Sequence, residues 1–265
     1  MAISGAQRPG NRRYRLFRSV SALILREMST TYGRSPGGYL WVILEPVAGI
    51  ALLSYVFALI ARSPALGQNF PLFFATGFLT FQLYATVSTL TAQSLKYSKP
   101  FLAYPAVTFL DALIARILLN ALTQILVGFI ILGGIILIYD LRPIMNWPAV
   151  FNALSMTLLF AVALGALNCY LFTIVPIWER FWVVINRPMF ILAGVLFIPE
   201  NVPPRLRDYF MMNPLPHMTS EMRRGFYATY DAVHVNSMFV CITSVVLLAL
   251  GLILVLRNHK LLLQL

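Results

Sequence analysis

Tyr39-Leu-Trp-Val-Ile-Leu-Glu-Pro-Val-Ala-Gly-Ile-Ala-Leu-Leu-Ser-Tyr-Val-Phe-Ala-Leu-Ile60 is a run of 22 residues with one charge, Glu45. About 20 apolar residues in a helix cross the hydrocarbon core of a bilayer, so the run reads as a membrane span. Outward from it the pattern repeats. Residues 63–95 carry no charge and hold a second span at 70–92. Residues 107–139 form a third apolar run, longer than one perpendicular crossing needs at about 1.5 Å per residue. Its first ten residues, with Asp111 and Arg116, are expected to project from the membrane. The uncharged stretch 143–178 contains a fourth span, residues 181–198 a fifth and residues 232–256 a sixth.

Composition agrees. Of 265 residues 59% are hydrophobic and 11% charged, with a mean hydropathy of +0.78. A soluble domain has about 45–50% apolar and about 25% charged residues, so a soluble enzyme, a disordered chain and a disulfide-stapled module are excluded. The net charge of +11 does not indicate a nucleic-acid partner, because the cations lie between apolar spans and not on one polar face. Cys169 and Cys241 sit inside apolar runs and read as packing residues.

The N-terminal head carries Arg8, Arg12, Arg13, Arg15, Arg18, Arg26 and Arg34. Its apolar stretch 20–25 is shorter than the about 7–15 residues of a cleaved signal. Leu16, Val20, Leu23 or Ile24, and Met28 recur at helical spacing, which predicts an amphipathic helix over 14–31 in the membrane interface. Lys96, Lys99, Arg180, Arg257 and Lys260 fall on the same side as the head. Fewer cations fall opposite: Arg62, Arg142, Arg205, Arg207, Arg223 and Arg224. The positive-inside rule then gives an all-α integral membrane protein with six spans and both termini cytoplasmic.

The fifth span contains Asn186, Arg187 and Pro188, which predicts a break near Arg187. Residues 199–231 mix prolines with short apolar patches that cannot span; a segment that dips in and returns fits them if protein covers its backbone. No phosphate-binding loop, zinc spacing or GxSxG elbow occurs, so no catalytic residue, metal site or cofactor is assigned. His217 near Glu221 reads as helix-terminal hydrogen bonding before acid–base chemistry. Charges inside spans need a reason. Glu45 reads as an interfacial carboxylate or a group meeting water, and Arg187 either faces a polar cavity or snorkels. Tyr39, Trp41, Trp147, Trp178 and Trp182, near span ends, read as an interfacial belt or as a lining for sugar rings.

Two stretches carry a family resemblance: Arg34-Ser-Pro-Gly-Gly-Tyr-Leu-Trp-Val-Ile-Leu-Glu-Pro46 and Asn213-Pro-Leu-Pro-His-Met-Thr-Ser-Glu-Met-Arg-Arg-Gly-Phe226. With six spans and a basic amphipathic head, the chain resembles the membrane subunit of ABC-2 type exporters, in its KpsM-like, capsular-polysaccharide branch. The resemblance implies a cytoplasmic head over 1–37, a six-helix transmembrane domain over 38–265, and re-entrant gate helices over 198–231 on the periplasmic side. It implies a bacterial inner-membrane permease without enzyme activity of its own, with ATP and Mg in a partner ATPase. The further partners are a second copy of the chain, a glycolipid-anchored polysaccharide, a periplasmic adaptor and an outer-membrane export protein. On this reading Tyr39, Trp41, Glu45, Trp182 and Arg187 line the substrate pathway. Arg205, Arg207, Asn213, Pro214, His217, Glu221, Arg223 and Arg224 form the gate, and its four arginines together with Arg187 lend the exit a positive field. Lys96, Tyr97, Lys99 and Phe101, in the polar connection 94–104, contact the ATPase. Alternatives are an ABC-2 exporter of another glycolipid polymer, O-antigen or teichoic acid, or of drugs. A membrane-embedded transferase is disfavoured by nine scattered carboxylates.

Overall fold

The computed structural model describes residues 20–21, 23–25, 38–98 and 109–258. Most of the amphipathic stretch 14–31 lies outside the described residues, as do Lys99, Phe101 and Lys260; residues 20–21 and 23–25 are helical. Among the described residues nine α-helices follow: α1 (Gly38–Ile60), α2 (Phe70–Ala92), α3 (Ser94–Ser98), α4 (Phe109–Ile138), α5 (Trp147–Ile174), α6 (Pro176–Leu192), α7 (Pro204–Met211), α8 (Pro214–Phe226) and α9 (Ser237–Arg257). Five of them, α1, α2, α4, α5 and α9, are long and apolar enough to cross a membrane. Asn69, Asn146 and Asn236 start α2, α5 and α9, each side chain accepting a backbone N–H of the first turn.

At the start of α4, Asp111 and Arg116 are buried against the protein. The Arg116 guanidinium lies 4.4 Å over the Tyr97 ring of α3 and donates to Gln93 O at 3.3 Å. The helix predicted over 181–198 instead runs from 176 to 192, continuous through Pro188, and at 17 residues is not among the five apolar spans. The chain turns at Gly194, in the left-handed region with φ +70°, which glycine adopts without a Cβ clash. The break therefore comes seven residues after Arg187, where the backbone, not the proline, ends the helix.

Lipid is as apolar as leucine, so helices in a membrane associate through close packing of small residues. α5 is the centre of this packing. Its buried Ala153, Ala161, Ala163, Gly165 and Ala166 let α2 and α9 approach closely. A Cβ on Gly165 would lie 2.5 Å from Thr91 Cβ of α2, and a Cβ on Gly251 of α9 would lie 2.6 Å from the Leu167 nitrogen. Tyr84–Phe160 ring contact and the Asn152–Ser237 hydrogen bond fix the same direction, so α2, α5 and α9 run parallel. The end where they begin is called the far end below, and the end where α1 and α6 begin the near end. α1 and α6 are held more loosely. α6 has no buried residue, and α1 leaves Leu40, Trp41, Leu44, Leu52, Tyr55 and Leu59 exposed.

Gly251→Val should lower the thermal midpoint of the detergent-purified protein, by an overpacking cost of about 1–3 kcal/mol. Gly133→Ala should not, because a Cβ at Gly133 meets nothing within 4 Å. Scattering-monitored melting of both variants checks the pair.

Candidate functional site

The break after α6 exposes backbone carbonyls inside the bundle, and a buried carbonyl needs a donor. Arg223 of α8 supplies three bonds. Its Nη1 donates to Gly194 O at 2.7 Å and Phe197 O at 2.9 Å, and its Nη2 to Val195 O at 2.8 Å. The guanidinium is 0% exposed and lies 4.2 Å over the Phe73 ring. Gly77 makes room for it, since a Cβ there would stand 2.8 Å from Nη2. Burial lowers its pKa to about 10, which leaves it charged at neutral pH. A cation just past the end of α6 also complements the helix dipole.

Other α8 side chains fasten the same region. Thr219 donates to Ala193 O at 2.6 Å. Asn213 accepts from Leu215 N at 3.1 Å, with Pro214 in the first turn of α8, and its Nδ2 donates to Leu192 O at 3.3 Å. His217 is a junction: Asn236 N donates to its Nδ1 at 3.0 Å, so its Nε2 donates to Met211 O at 2.9 Å. That arrangement needs the neutral ring, and burial pushes the pKa below the ordinary histidine value. The helix-terminal reading of His217 thus describes its contacts. Glu221 is buried; its Oε1 accepts from Asn152 Nδ2 at 2.8 Å and from Arg224 Nη2.

The arginines expected to lend the exit a positive field have different surroundings. Arg223 is sealed inside, Arg224 pairs with Glu221, and Arg207 donates to Pro199 O, Glu200 O and Val202 O. Backbone carbonyls and a carboxylate already use these cations. Arg205 is exposed.

Halfway along the bundle a cleft of about 430 Å³ opens between α1, α2, α4 and α6. Trp41, Val42 and Glu45 line it from α1; Phe78, Phe81, Gln82, Ala85 and Thr86 from α2; Gln124 from α4; and Phe190 from α6. Phe190 meets Phe78 and Phe81 edge-on, with centroids 5.7 Å and 5.4 Å apart. Gln82 Oε1 is buried with no hydrogen-bond partner among the described residues. The cleft brings together Trp41 and Glu45 from the sequence reading. Tyr39 lies two residues before Trp41 in α1. The Trp182 ring lies tilted against Trp178 with centroids 6.5 Å apart and Arg187 is exposed; neither lines the cleft. Phe78, Phe81, Phe190, Gln82 and Gln124 were not singled out in the sequence, although an amide in the middle of an apolar span is a signal of polar function.

At the near end α3 is tied to the start of α6. Glu179 accepts from Gln93 Nε2 at 2.9 Å and from Lys96 Nζ at 3.1 Å. Lys96 and Tyr97 are exposed on α3.

Residues 18–227 match the sequence pattern of the ABC-2 type transporter family. The chain is 26% identical over 243 residues to the capsule polysaccharide export inner-membrane protein CtrC of Neisseria meningitidis, covering 92% of each. It is 24% identical over 234 residues to the polysialic acid transport protein KpsM of Escherichia coli, covering 88% of this chain and 91% of that one. It is 22% identical to the capsule polysaccharide export inner-membrane protein BexB of Haemophilus influenzae, covering 92% of each.

His217 generates a pH prediction. Its folded pKa is lowered, so the unfolded chain binds more protons, and the stabilisation present above the ordinary histidine value is lost as pH falls below it. Between about pH 7.5 and about pH 5.5 the thermal midpoint should drop by roughly 2–4 °C more in the wild type than in His217→Gln. Equal drops would remove His217 from the pH response.

Proposed function

Because the chain belongs to the ABC-2 type transporter family, we propose that it is the membrane subunit of an ATP-driven exporter moving capsular polysaccharide across the bacterial inner membrane. The names of its relatives support the cargo. The aromatic and amide-lined cleft is the observation that carries the reading for this chain. A sugar ring has apolar C–H faces and a polar rim. Trp41, Phe78, Phe81 and Phe190 offer flat surfaces for the faces, and Gln82, Thr86, Gln124 and Glu45 offer partners for the hydroxyls. Stacking of this kind tolerates different rings and holds none of them tightly, which suits a polymer that must slide.

The cleft is open on the flank where α1 and α6 are poorly covered. A second copy facing that flank closes the cleft into a pathway, with α1 and α6 of both copies as its walls. Exposed Arg187 then stands towards water and not lipid, the cheaper place for a charge at that depth. The turn at Gly194 and α7 and α8 close the periplasmic end. ATP and Mg are handled by a separate ATPase chain that docks on α3 and the connection after it, with the basic head as a second contact. The Glu179–Lys96 pair passes a push on α3 to α6, the pathway wall. A periplasmic adaptor and an outer-membrane export protein complete the route.

Complementation of an export-deficient encapsulated strain, with surface polysaccharide measured, tests the proposal. Arg187→Leu should reduce export several-fold while membrane insertion and ATPase assembly stay at wild-type levels; normal export would return Arg187 to a structural role. Glu179→Gln should leave the ATPase bound and hydrolysing but lower the polymer exported per ATP. Loss of ATPase binding would mean that Glu179 shapes the docking site instead.

A further inference from the structure

A second cleft, of about 510 Å³, lies at the far end, away from the aromatic one. Ligand pockets commonly measure about 300–1,000 Å³, so the volume suits a small molecule or a short piece of a polymer. It is formed by the loop before α5, the first turn of α5, the end of α8 and the segment after it. Three side chains dominate its chemistry: Trp147, 47% exposed; Arg224, whose side chain is 40% exposed; and Asp231, also exposed.

These groups are held in place by parts of the fold that carry no role in the aromatic cleft. Trp147 opens α5 behind the Asn146 cap. The Asn146 N–H donates to Gly225 O at 2.9 Å, and a Cβ on Gly225 would stand 2.4 Å from Val150 Cγ2, so α8 and the first turn of α5 are clamped together. Glu221 holds one end of Arg224. Ala232, with φ +50°, puts a non-glycine residue in the left-handed region next to Asp231, a conformation that persists only where the surroundings enforce it. Arg224 Nε and Tyr227 Oη are buried and have no hydrogen-bond partner among the described residues.

We infer that this outer cleft binds a saccharide segment, with a ring face on Trp147 and its hydroxyls shared between Arg224 and Asp231. The charge balance selects this ligand. One cation and one anion line the cleft, and Glu221 further offsets the cation. A phosphate or lipid headgroup needs an excess of donors, and the Asp231 carboxylate opposes it. A hydroxyl both donates and accepts, so it uses the two groups together. The inference rests on the polysaccharide reading for its biological source, with the cleft giving emerging polymer a foothold outside the transmembrane pathway. Its chemistry stands without that reading.

The test uses the full chain in lipid nanodiscs and three probes: maltohexaose, cellohexaose and a hexagalacturonate. Binding is followed by saturation-transfer NMR and titration. Both neutral probes should bind with millimolar or better affinity, the uronate no tighter than they do, and added salt should change little. Trp147→Ala and Asp231→Asn should each weaken binding at least tenfold, whereas Leu137→Ala, exposed and outside both clefts, should change it less than twofold. Absence of binding by all three probes overturns the inference. So does binding that survives Trp147→Ala, or binding confined to the uronate and abolished by salt. Failure of the wild-type chain to restore surface polysaccharide would overturn the export reading alone, because the oligosaccharide titrations decide the cleft independently.

Discussion

A guanidinium with no contact to water, donating three hydrogen bonds to the backbone just past α6, is the constraint on which the far half of the molecule depends. Breaking a helix inside a membrane protein leaves carbonyls that neither water nor lipid satisfies. A buried charge is equally costly unless it is hydrogen-bonded. Each problem solves the other here: Arg223 needs acceptors and the broken chain needs donors. Removing either partner would strand the other in a low-dielectric interior. The same contact sets where α8 lies, because α8 must present Arg223 to residues 194–197.

From that fastening the roles of neighbouring residues follow. Thr219, Asn213, His217 and Glu221 reach respectively to the end of α6, across the α6–α8 corner, to the start of α9 and to α5. α8 is therefore a fixed part of the bundle and not a loose cover. α7 is less covered, with Leu206 and Tyr209, and Met212 just after it, outward. Motion that opens the far end is easier at α7 than at α8, since moving α8 would break every one of those bonds.

The two flanks of the bundle differ in the same physical terms. α2, α5 and α9 meet through glycines and alanines, where backbones touch and nothing can slide without loss of packing. α1 and α6 meet α2 through large aromatic rings around an open cleft, and contribute few buried residues. A bundle with one rigid side and one lightly held side can change the width of its cleft without unfolding its core. The link from α3 through Glu179 reaches the lightly held side, where a small displacement costs least.

Hydrophobic length and charge placement by themselves determined the membrane-spanning all-α architecture, because the bilayer's thickness fixes how many apolar residues a helix must have. The second span, residues 70–92, coincides with α2 in the structure. The first, fourth and sixth coincide with α1, α5 and α9 to within a few residues once their polar ends are trimmed. Sequence likewise marked 199–231 as unable to span, and paired Trp41 with Glu45 as candidates. Only the tertiary structure decided where the fifth helix stops, since Gly194 gains meaning from an arginine 29 positions later in the chain. It also separated arginines that are free from arginines that are spent, a distinction set by which backbone carbonyl happens to lie near each one. The cleft depends on the same kind of long-range arrangement. Phe81, Gln124 and Phe190 are unremarkable within their own helices and become one surface because three helices pack around it.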